Sequence, residues 1–576
     1  MVILLMKKKT TIWLMALVCL VLTSCSGRKV VDIRVVSTTD VHGYVFDKDI
    51  LTGNERRGSL AKVATFLKEE RKNNRNLIYL DAGDILQGSV EAYQDVTAQY
   101  YRTSLLAEAY NLLGCNAMAL GNHDLAAGTQ CFERFIVDAD FPVLGGNICF
   151  DNYGDYIAPY TIIKKGKVTI GVVGLTTPSV KYSLPWDNYG ELTARDPIET
   201  ARFYVDKLRD KVDVLIGLFH SGYSGGRVYD GTVYDQFTKK LVNEVSGFDL
   251  IVFGHDHSRF MRKEVDANGD SILMMNTGQH AERVAVTTLR VDYTQGGKPK
   301  VSTMGGELVD ITALTPDEQF MKAVSGWYDD VSEYADSVVG TLSVPFDGNG
   351  ALWRNTSALD YVHGIQMGFF GAQVSLAAPV TVNPVIPAGD FHIRDAFNVI
   401  RNETTMVSLM LKGSEIKDAL EYSASSCYED LKSKPDHLLK RRGSSGFLSA
   451  AGIVYTIDVT KPDGKRVNIV SMADGTPFNP DKKYRTTVNS SMFVQDGSAL
   501  YRGTGLSRSE MYSRFNSSSA ADMRFYMLTD FALKREAGKS VNPGKVCNWR
   551  LVPEKVVSGY LATDTLSLTN NRTVRQ

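Results

Sequence analysis

Gly121-Asn122-His123-Asp124 follows a run that begins at Cys115, ends at Leu120 and is apolar apart from Asn116. A Gly-Asn-His-acid tetrad at the exit of a buried strand puts an amide oxygen and an imidazole on one loop. Both can then be aimed at a single point, which is how a metal-assisted phosphoryl site is built. The same four residues also make an ordinary turn after a strand. Matching groups at other strand exits decide between the two.

Upstream, residues 30–36 alternate and then turn apolar, the pattern of a strand, and lead into Asp40-Val41-His42. Asp-x-His on an extended segment sets a carboxylate and an imidazole on the same side, as a shared cation requires. Residues 59–71 have helical spacing, with Leu60, Val63, Ala64 and Leu67 on one face. A second strand, 76–80, enters Asp81-Ala82-Gly83-Asp84, where Gly83 lets the chain turn sharply and Asp84 project at the strand's carboxyl end. Asp81 reads as a structural acceptor for that loop. Residues 97–113 are a further helical stretch.

Downstream, 141–145 and 169–175 are strand candidates and 197–211 is helical. Residues 212–219, apolar apart from Asp213, are typical of a strand buried on both faces and deliver His220. Residues 250–253 repeat the arrangement and deliver Gly254-His255-Asp256-His257. Five of the nine histidines, His42, His123, His220, His255 and His257, therefore sit at strand exits beside Asp, Asn or Gly. Convergent polar groups at strand carboxyl ends mark the sites of α/β sheets. His280, His363, His392 and His437 lack that setting and read as ordinary structural histidines.

The 576 residues exceed what one hydrophobic core organises, so two to four domains are expected. A formal net charge of -1, with no polybasic block or acidic tail, excludes a nucleic-acid polymer as the main partner. Lys7-Lys8-Lys9, an apolar stretch over 12–22 and Leu22-Thr23-Ser24-Cys25 follow the order of an export signal. The small-residue run ending in Cys resembles the bacterial lipobox, which implies a lipidated Cys25 and an exported, membrane-anchored lipoprotein. The other cysteines after the signal, Cys115, Cys131, Cys149, Cys427 and Cys547, form no CxxC pair and no zinc-ligand spacing, and an odd set leaves at least one free thiol.

The order Asp-x-His, Gly-Asp, Gly-Asn-His-Asp, His, Gly-His-x-His resembles the calcineurin-like metallophosphoesterases. Within them it resembles the exported branch of 5′-nucleotidases and 2′,3′-cyclic-nucleotide phosphodiesterases that act also as 3′-nucleotidases. The resemblance implies an α/β fold class: an N-terminal four-layer α/β/β/α metallophosphoesterase domain, a linker helix and a C-terminal α/β 5′-nucleotidase-type domain. It implies two divalent ions, one held by Asp40, His42, Asp84 and His257, the other by Asp84, Asn122, His220 and His255, with Asp84 bridging. Imidazole with carboxylate suits zinc, manganese or iron. His123 is then no ligand; it stabilises the transition state or protonates the leaving alkoxide. In the 5′-nucleotidases the tetrad continues Asn-His-acid-Phe-Asp, and the last Asp orients the histidine. Here Ala126 stands in that place, so either another group steadies His123 or it works with a less raised pKa.

The expected organisation is a signal over 1–24, a catalytic domain over 25–312, a linker helix over 313–339 opened by Thr315-Pro316-Asp317-Glu318, a nucleotide-binding domain over 340–555 and a polar mobile tail over 556–576. Gly446-Phe447-Leu448-Ser449 resembles the family segment that carries a base-stacking aromatic, which makes Phe447 one candidate side of a nucleobase clamp. Where relatives read Asn-Ser-Tyr-Arg, this chain reads Asn489-Ser490-Ser491-Met492, and Phe493 is the candidate replacement on an extended strand. The Arg-containing phosphate motif of 5′-nucleotidases is replaced by Ala377-Ala378-Pro379, as in the cyclic-phosphodiesterase branch. The expected substrates are 3′-nucleotides and 2′,3′-cyclic nucleotides, with 5′-nucleotides or nucleotide sugars as the alternative. A non-enzymatic nucleotide-binding lipoprotein is the other reading.

Overall fold

The computed structural model describes residues 29–97, 103–125, 128–150, 157–178, 180, 192–229, 233–294, 297–379, 385–400, 404–433, 435–440, 446–494, 497–519 and 521–570. The signal, Cys25 and Ala126 lie outside the described residues. The chain forms two compact units, the first made of described residues up to Ser325 except Ile50–Gly53, which are grouped with the residues after Ser325 in the second. All five described cysteines are free thiols. No helix among the described residues is long and apolar enough to cross a membrane.

The strands of the first unit begin with β1 (Val30–Thr38), β2 (Leu77–Asp81), β3 (Ala117–Ala119), β4 (Val143–Leu144), β5 (Ile148–Phe150) and β6 (Tyr160–Lys165). They continue with β7 (Val168–Thr176), β8 (Leu192–Ala194), β9 (Val214–His220), β10 (Gly225–Tyr229) and β11 (Val233–Gln236). The last are β12 (Leu250–Phe253), β13 (Arg259–Val265), β14 (Ser271–Thr277), β15 (Arg283–Asp292) and β16 (Lys300–Asp310). Two six-stranded sheets result, in the orders β16-β15-β1-β2-β3-β4 and β13-β14-β12-β9-β7-β6. Within each, the central strands are parallel, β1 to β4 in the first and β7, β9, β12 and β14 in the second. Their carboxyl ends therefore leave each sheet on one edge.

The two sheets pack face to face, and strand alternation shows why. Ile33 and Val35 of β1 and Ile78 and Leu80 of β2 share one core with Ile170, Val172, Ile216 and Leu218 of the second sheet. Val173, Leu175, Leu215 and Phe219 point the other way, against Ile198, Ala201 and Leu241 of the helices Pro197–Leu208 and Thr238–Glu244. The apolar run that ends in His220 is thus buried on both faces, as its composition requires. On the first sheet's outer side lies helix Leu60–Asn73, which starts where the Ser59 hydroxyl accepts from the Lys62 N–H and buries Leu60, Val63 and Leu67. The order is helix, sheet, sheet, helix.

The second unit is also α/β. Its five-stranded sheet has the order Ser449–Ala451, Val374–Ala377, Lys483–Asn489, Met406–Lys412, Phe515–Ser518. Leu376, Leu409, Leu411 and Tyr484 from this sheet pack with Ile416 and Leu420 of helix Gly413–Cys427.

Of the stretch expected to be helical over 97–113, Leu105–Leu113 is a helix, with the Ser104 hydroxyl capping the Ala107 N–H, and residues 98–102 lie outside the described residues. Two expected elements differ. The single linker helix is two, Glu318–Ala323 and Ser325–Asp336, with Val324 out of helical geometry between them. Ser325 and Gly326 propagate a helix poorly at that point. The expected mobile tail begins as helix Glu554–Asn570, with Val557 buried and Val556, Tyr560 and Leu561 packed on the second unit's core. These residues share one helical face, a pattern only two turns long and followed by polar sequence.

Candidate metal centre

Each predicted ligand lies just past, or on the last residue of, a central strand of the first unit. Asp40 and His42 follow β1, Asp84 follows β2, Asn122 follows β3, His220 ends β9, and His255 and His257 follow β12. Five of these, Asp40, His42, Asp84, His255 and His257, have left-handed backbones with φ between 51 and 78°. Non-glycine residues rarely adopt that conformation, and each instance costs about 1–3 kcal/mol. Hydrogen bonds between loops hold it in place. The Asp40 N–H donates to the Gly83 carbonyl at 2.9 Å, and the His42 N–H to the Asp84 carbonyl at 3.0 Å. The His255 N–H donates to Asp40 Oδ2 at 2.9 Å. Gly121 and Gly254 permit the approach, since a Cβ on either would collide with the Asp84 or Asp40 carboxylate.

Two groups result, each able to hold a cation: Asp40 with His42 and His257, and Asp84 with His220 and His255, the ligand atoms in each lying within 4.8 Å of one another. His42 Nε2 and His257 Nε2 are 3.1 Å apart, and His257 Nε2 is 3.4 Å from Asp40 Oδ1. His220 Nε2 lies 3.1 Å from both Asp84 Oδ2 and Asn122 Oδ1. The remaining nitrogens are anchored behind the site: His42 Nδ1 to the Gln87 carbonyl at 2.9 Å and His220 Nδ1 to the Ala82 carbonyl at 2.7 Å. Because a carbonyl only accepts, both rings carry their proton on Nδ1 when neutral and turn the Nε2 lone pair inward. His255 is reversed: Nε2 is 3.0 Å from Asp235 Oδ1, and the buried Nδ1 has no hydrogen-bond partner among the described residues. Imidazole nitrogens gathered around two buried carboxylates fit divalent ions of the zinc, manganese or iron type.

Burial pushes the Asp84 carboxyl up, but the His220 and His123 imidazoles outweigh it and hold it well below the usual range. Asp40 is lowered in the same way, burial being overcome by His257 and His220. Burial works against the His220 cation too, but Asp84 and Asp40 raise it to about 10. His42 is lowered by burial and stays neutral. Without a cation, the acids are balanced by a proton on His220. A metal ion must displace that proton, so its apparent affinity is expected to rise with pH until His220 titrates near 10, at most tenfold per pH unit for this one proton. Calorimetric titration of the metal-free protein at pH 6 and 8 checks this, and equal affinities at both would contradict it.

His123 lies beside the first group, its ring 5.8 Å from His42, and its backbone N–H donates to Asp84 Oδ1 at 2.8 Å. Among the described residues neither of its ring nitrogens has a hydrogen-bond partner. Burial lowers its pKa.

Asp124, the tetrad residue without a predicted role, proves to be the clamp of the β2 and β3 loops. Its Oδ2 accepts from the N–H groups of Asp84 (3.0 Å) and Gly121 (2.8 Å), and its Oδ1 from those of Ile85 (2.7 Å) and Leu86 (3.0 Å). Asp124→Ala would strand four buried donors and is expected to cost on the order of 3 kcal/mol or more. Urea unfolding of the metal-free protein measures it, and a loss under about 0.5 kcal/mol would show that the loops hold without the clamp. Asp256 does the same for the β12 loop, accepting from Tyr223 N (2.9 Å), Ser258 N (3.0 Å) and Asn276 Nδ2 (2.8 Å). Asp81 is the expected structural acceptor, bonded by Gly83 N, Thr38 Oγ1 and the Tyr110 hydroxyl.

His280 departs from its ordinary reading. Its N–H donates to the Asp40 carbonyl at 2.9 Å and its ring stacks on Tyr44 at 4.1 Å, 5.8 Å from His42. Nothing near it in sequence marks the place. His363, by contrast, is a buried structural histidine between Ser375 and Ser449.

The clamp residues are corrected. Phe447 is 2% exposed and Phe493 5% exposed, both within the second unit's core. Phe493 sits on a helical turn, Ser490–Val494, rather than an extended strand, and packs on Tyr512 and Phe515. Apolar packing has claimed both rings, leaving no open face for a base.

Residues 33–259 match the family described as Calcineurin-like phosphoesterase, and residues 338–501 match the 5′-nucleotidase, C-terminal domain. The chain is 25% identical over 606 residues to the trifunctional nucleotide phosphoesterase protein YfkN of Bacillus subtilis, covering 93% of this chain but 40% of that protein's length. It is 23% identical over 599 residues to a 2′,3′-cyclic-nucleotide 2′-phosphodiesterase/3′-nucleotidase of Haemophilus influenzae, covering 92% of this chain and 88% of the other. In fold it is similar to the crystal structure of a putative 5′-nucleotidase from Staphylococcus aureus, with TM-score 0.70, 19% identity and coverage of 90% and 100% of the two chains. With a calcineurin-like phosphoesterase domain ahead of a 5′-nucleotidase C-terminal domain, this chain belongs to the nucleotidase and phosphodiesterase family of metallophosphoesterases and is a phosphoester-hydrolysing enzyme.

Proposed function

We propose that the protein is an exported lipoprotein, tethered through a lipid on Cys25, that uses two divalent ions to hydrolyse 3′-nucleotides and 2′,3′-cyclic nucleotides to nucleosides and phosphate. The observation that carries the reaction is the pair of Asp/His groups, each built on a buried carboxylate, Asp40 in one and Asp84 in the other. Asp40, His42, Asp84 and His257 form one ligand set, and Asp84, Asn122, His220 and His255 the other. Bound there, the ions supply an activated water and the positive charge that neutralises phosphoryl oxygens. The protein does the rest. The anchored imidazoles present fixed lone pairs, and Asp84 contributes to both sets. His123, whose ring nitrogens have no hydrogen-bond partner among the described residues, hydrogen-bonds the phosphoryl group or gives a proton to the leaving oxygen.

Support for the substrate class comes from the sequence, where Ala377-Ala378-Pro379 replaces the arginine motif of 5′-nucleotidases, and from the activity for which the Haemophilus relative is named. Export and anchoring rest on the order Lys7-Lys8-Lys9, apolar stretch, Cys25. Phosphate release from 5′-, 3′- and 2′,3′-cyclic nucleotides, with manganese, zinc or after chelation, tests the reading. The 3′ and cyclic substrates are expected to turn over fastest, and only with metal. A strong 5′ preference would move the substrate assignment, and full activity after chelation would remove the reaction. Loss of fatty-acid labelling in Cys25→Ser tests the anchor.

A further inference from the structure

His255 differs from His220, the buried ring of its group, in which nitrogen the protein holds. His220 is held by a carbonyl at Nδ1, whereas His255 is held at Nε2, 3.0 Å from Asp235 Oδ1, and its buried Nδ1 has no hydrogen-bond partner among the described residues. A neutral imidazole has one N–H and one lone pair. A carboxylate on Nε2 takes the N–H and forces the lone pair onto Nδ1.

The carboxylate is itself firmly placed. Asp235 belongs to β11, which pairs with β10 in a two-stranded ribbon. Thr177 Oγ1, just past β7, donates to Asp235 Oδ1 at 3.1 Å. Ser221, the residue after His220, donates through Oγ to the Asp235 carbonyl at 3.1 Å and accepts from the Phe237 N–H at 2.8 Å. The ribbon's end is thereby tied to the exits of β7, β9 and β12 at once. Thr177, His220 and His255 are fixed relative to one another through this one residue.

We infer that Asp235 is a positioning residue of the second ligand group: it holds the Nε2–H of His255, selects the tautomer with a free Nδ1, and so makes His255 a ligand through Nδ1. This role rests on the reading of the two groups as a metal centre. It differs from direct ligation, since Asp235 reaches the imidazole from behind and leaves Nδ1 to the cation. Partners of this kind raise ligand basicity, and their loss typically lowers metal affinity about 10–100-fold.

The test is divalent-metal uptake by the chelator-stripped full-length protein, followed by calorimetry with manganese and by cobalt(II) visible absorption, with apoprotein melting in parallel. The unmodified protein is expected to take up two ions per chain. Asp235→Ala is expected to weaken one of the two about 10–100-fold while leaving the other unchanged. Asp235→Asn, which keeps an oxygen acceptor for Nε2–H, is expected to fall between, with an altered cobalt band and an unchanged apoprotein melting temperature. Two ions bound by both variants with the unmodified affinities would overturn the role of Asp235 alone. No uptake by the unmodified protein would overturn the metal centre and this role with it.

Discussion

Asp84→Asn is expected to lower phosphoester turnover by roughly a thousandfold or more, with loss of at least one bound ion. In the proposed centre Asp84 is the acid common to both ligand sets. Its Oδ2 lies 3.1 Å from His220 Nε2 and its Oδ1 accepts the His123 N–H at 2.8 Å. The His220 and His123 imidazoles keep it ionised against the cost of burial. An amide in its place keeps the volume but removes the charge that can span two cations. It also removes the largest influence raising His220, whose pKa should then fall from about 10. Backbone bonds from the Asp84 loop to Asp124 do not involve the substituted side chain, so the fold should survive. Metal analysis and steady-state kinetics on the same sample check both losses. Two ions retained with activity within about tenfold of the unmodified enzyme would show that Asp84 bridges nothing.

His123→Ala is expected to lower turnover by about 10²–10⁴-fold while metal content stays at the unmodified level. The separation follows from position: His123 belongs to neither ligand group, and its hydrogen bond to Asp84 is made by its backbone, which alanine retains. The defect should be large for nucleotide substrates, whose sugar alkoxide leaves poorly, and much smaller for an activated aryl phosphate, which needs no proton on leaving. Kinetics on the two substrate types, with metal analysis alongside, measure the difference. A uniform loss across leaving groups would point instead to stabilisation of the phosphoryl oxygens. Loss of metal would return His123 to a ligand role.

Two contacts steady His123 where Ala126 replaces the family's aspartate. Its backbone is tied to Asp84 and its ring lies edge-on to His42, while Ala126 itself lies outside the described residues. That anchorage fixes the position of the imidazole but not its tautomer.

Asp40, His42, Asp84, Asn122, His123, His220, His255 and His257 are legible in the sequence for a physical reason. Each stands at the exit of a strand whose apolar run is local and periodic, and parallel strands in one sheet deliver their exits to one edge. The second unit offers no such signal. Phe447 and Phe493 look the same in sequence whether they stack on a base or fill a core, and only their burial separates the two. The terminal helix is hidden for another reason, because its apolar face is confined to Val556, Val557, Tyr560 and Leu561.

The sequence by itself determined the strand-loop order and the residue types massed at the strand exits, because hydrophobic period and motif spacing are properties of neighbouring residues. Only the tertiary structure decided that Asp124 clamps the Asp84 loop, that Asp235 stands behind His255, that Asp256 ties the β12 loop and that His280 lies beside Asp40. Those roles are hydrogen bonds between loops that come together only when the two sheets pack, and an aspartate's sequence neighbours carry no trace of which distant N–H it will meet.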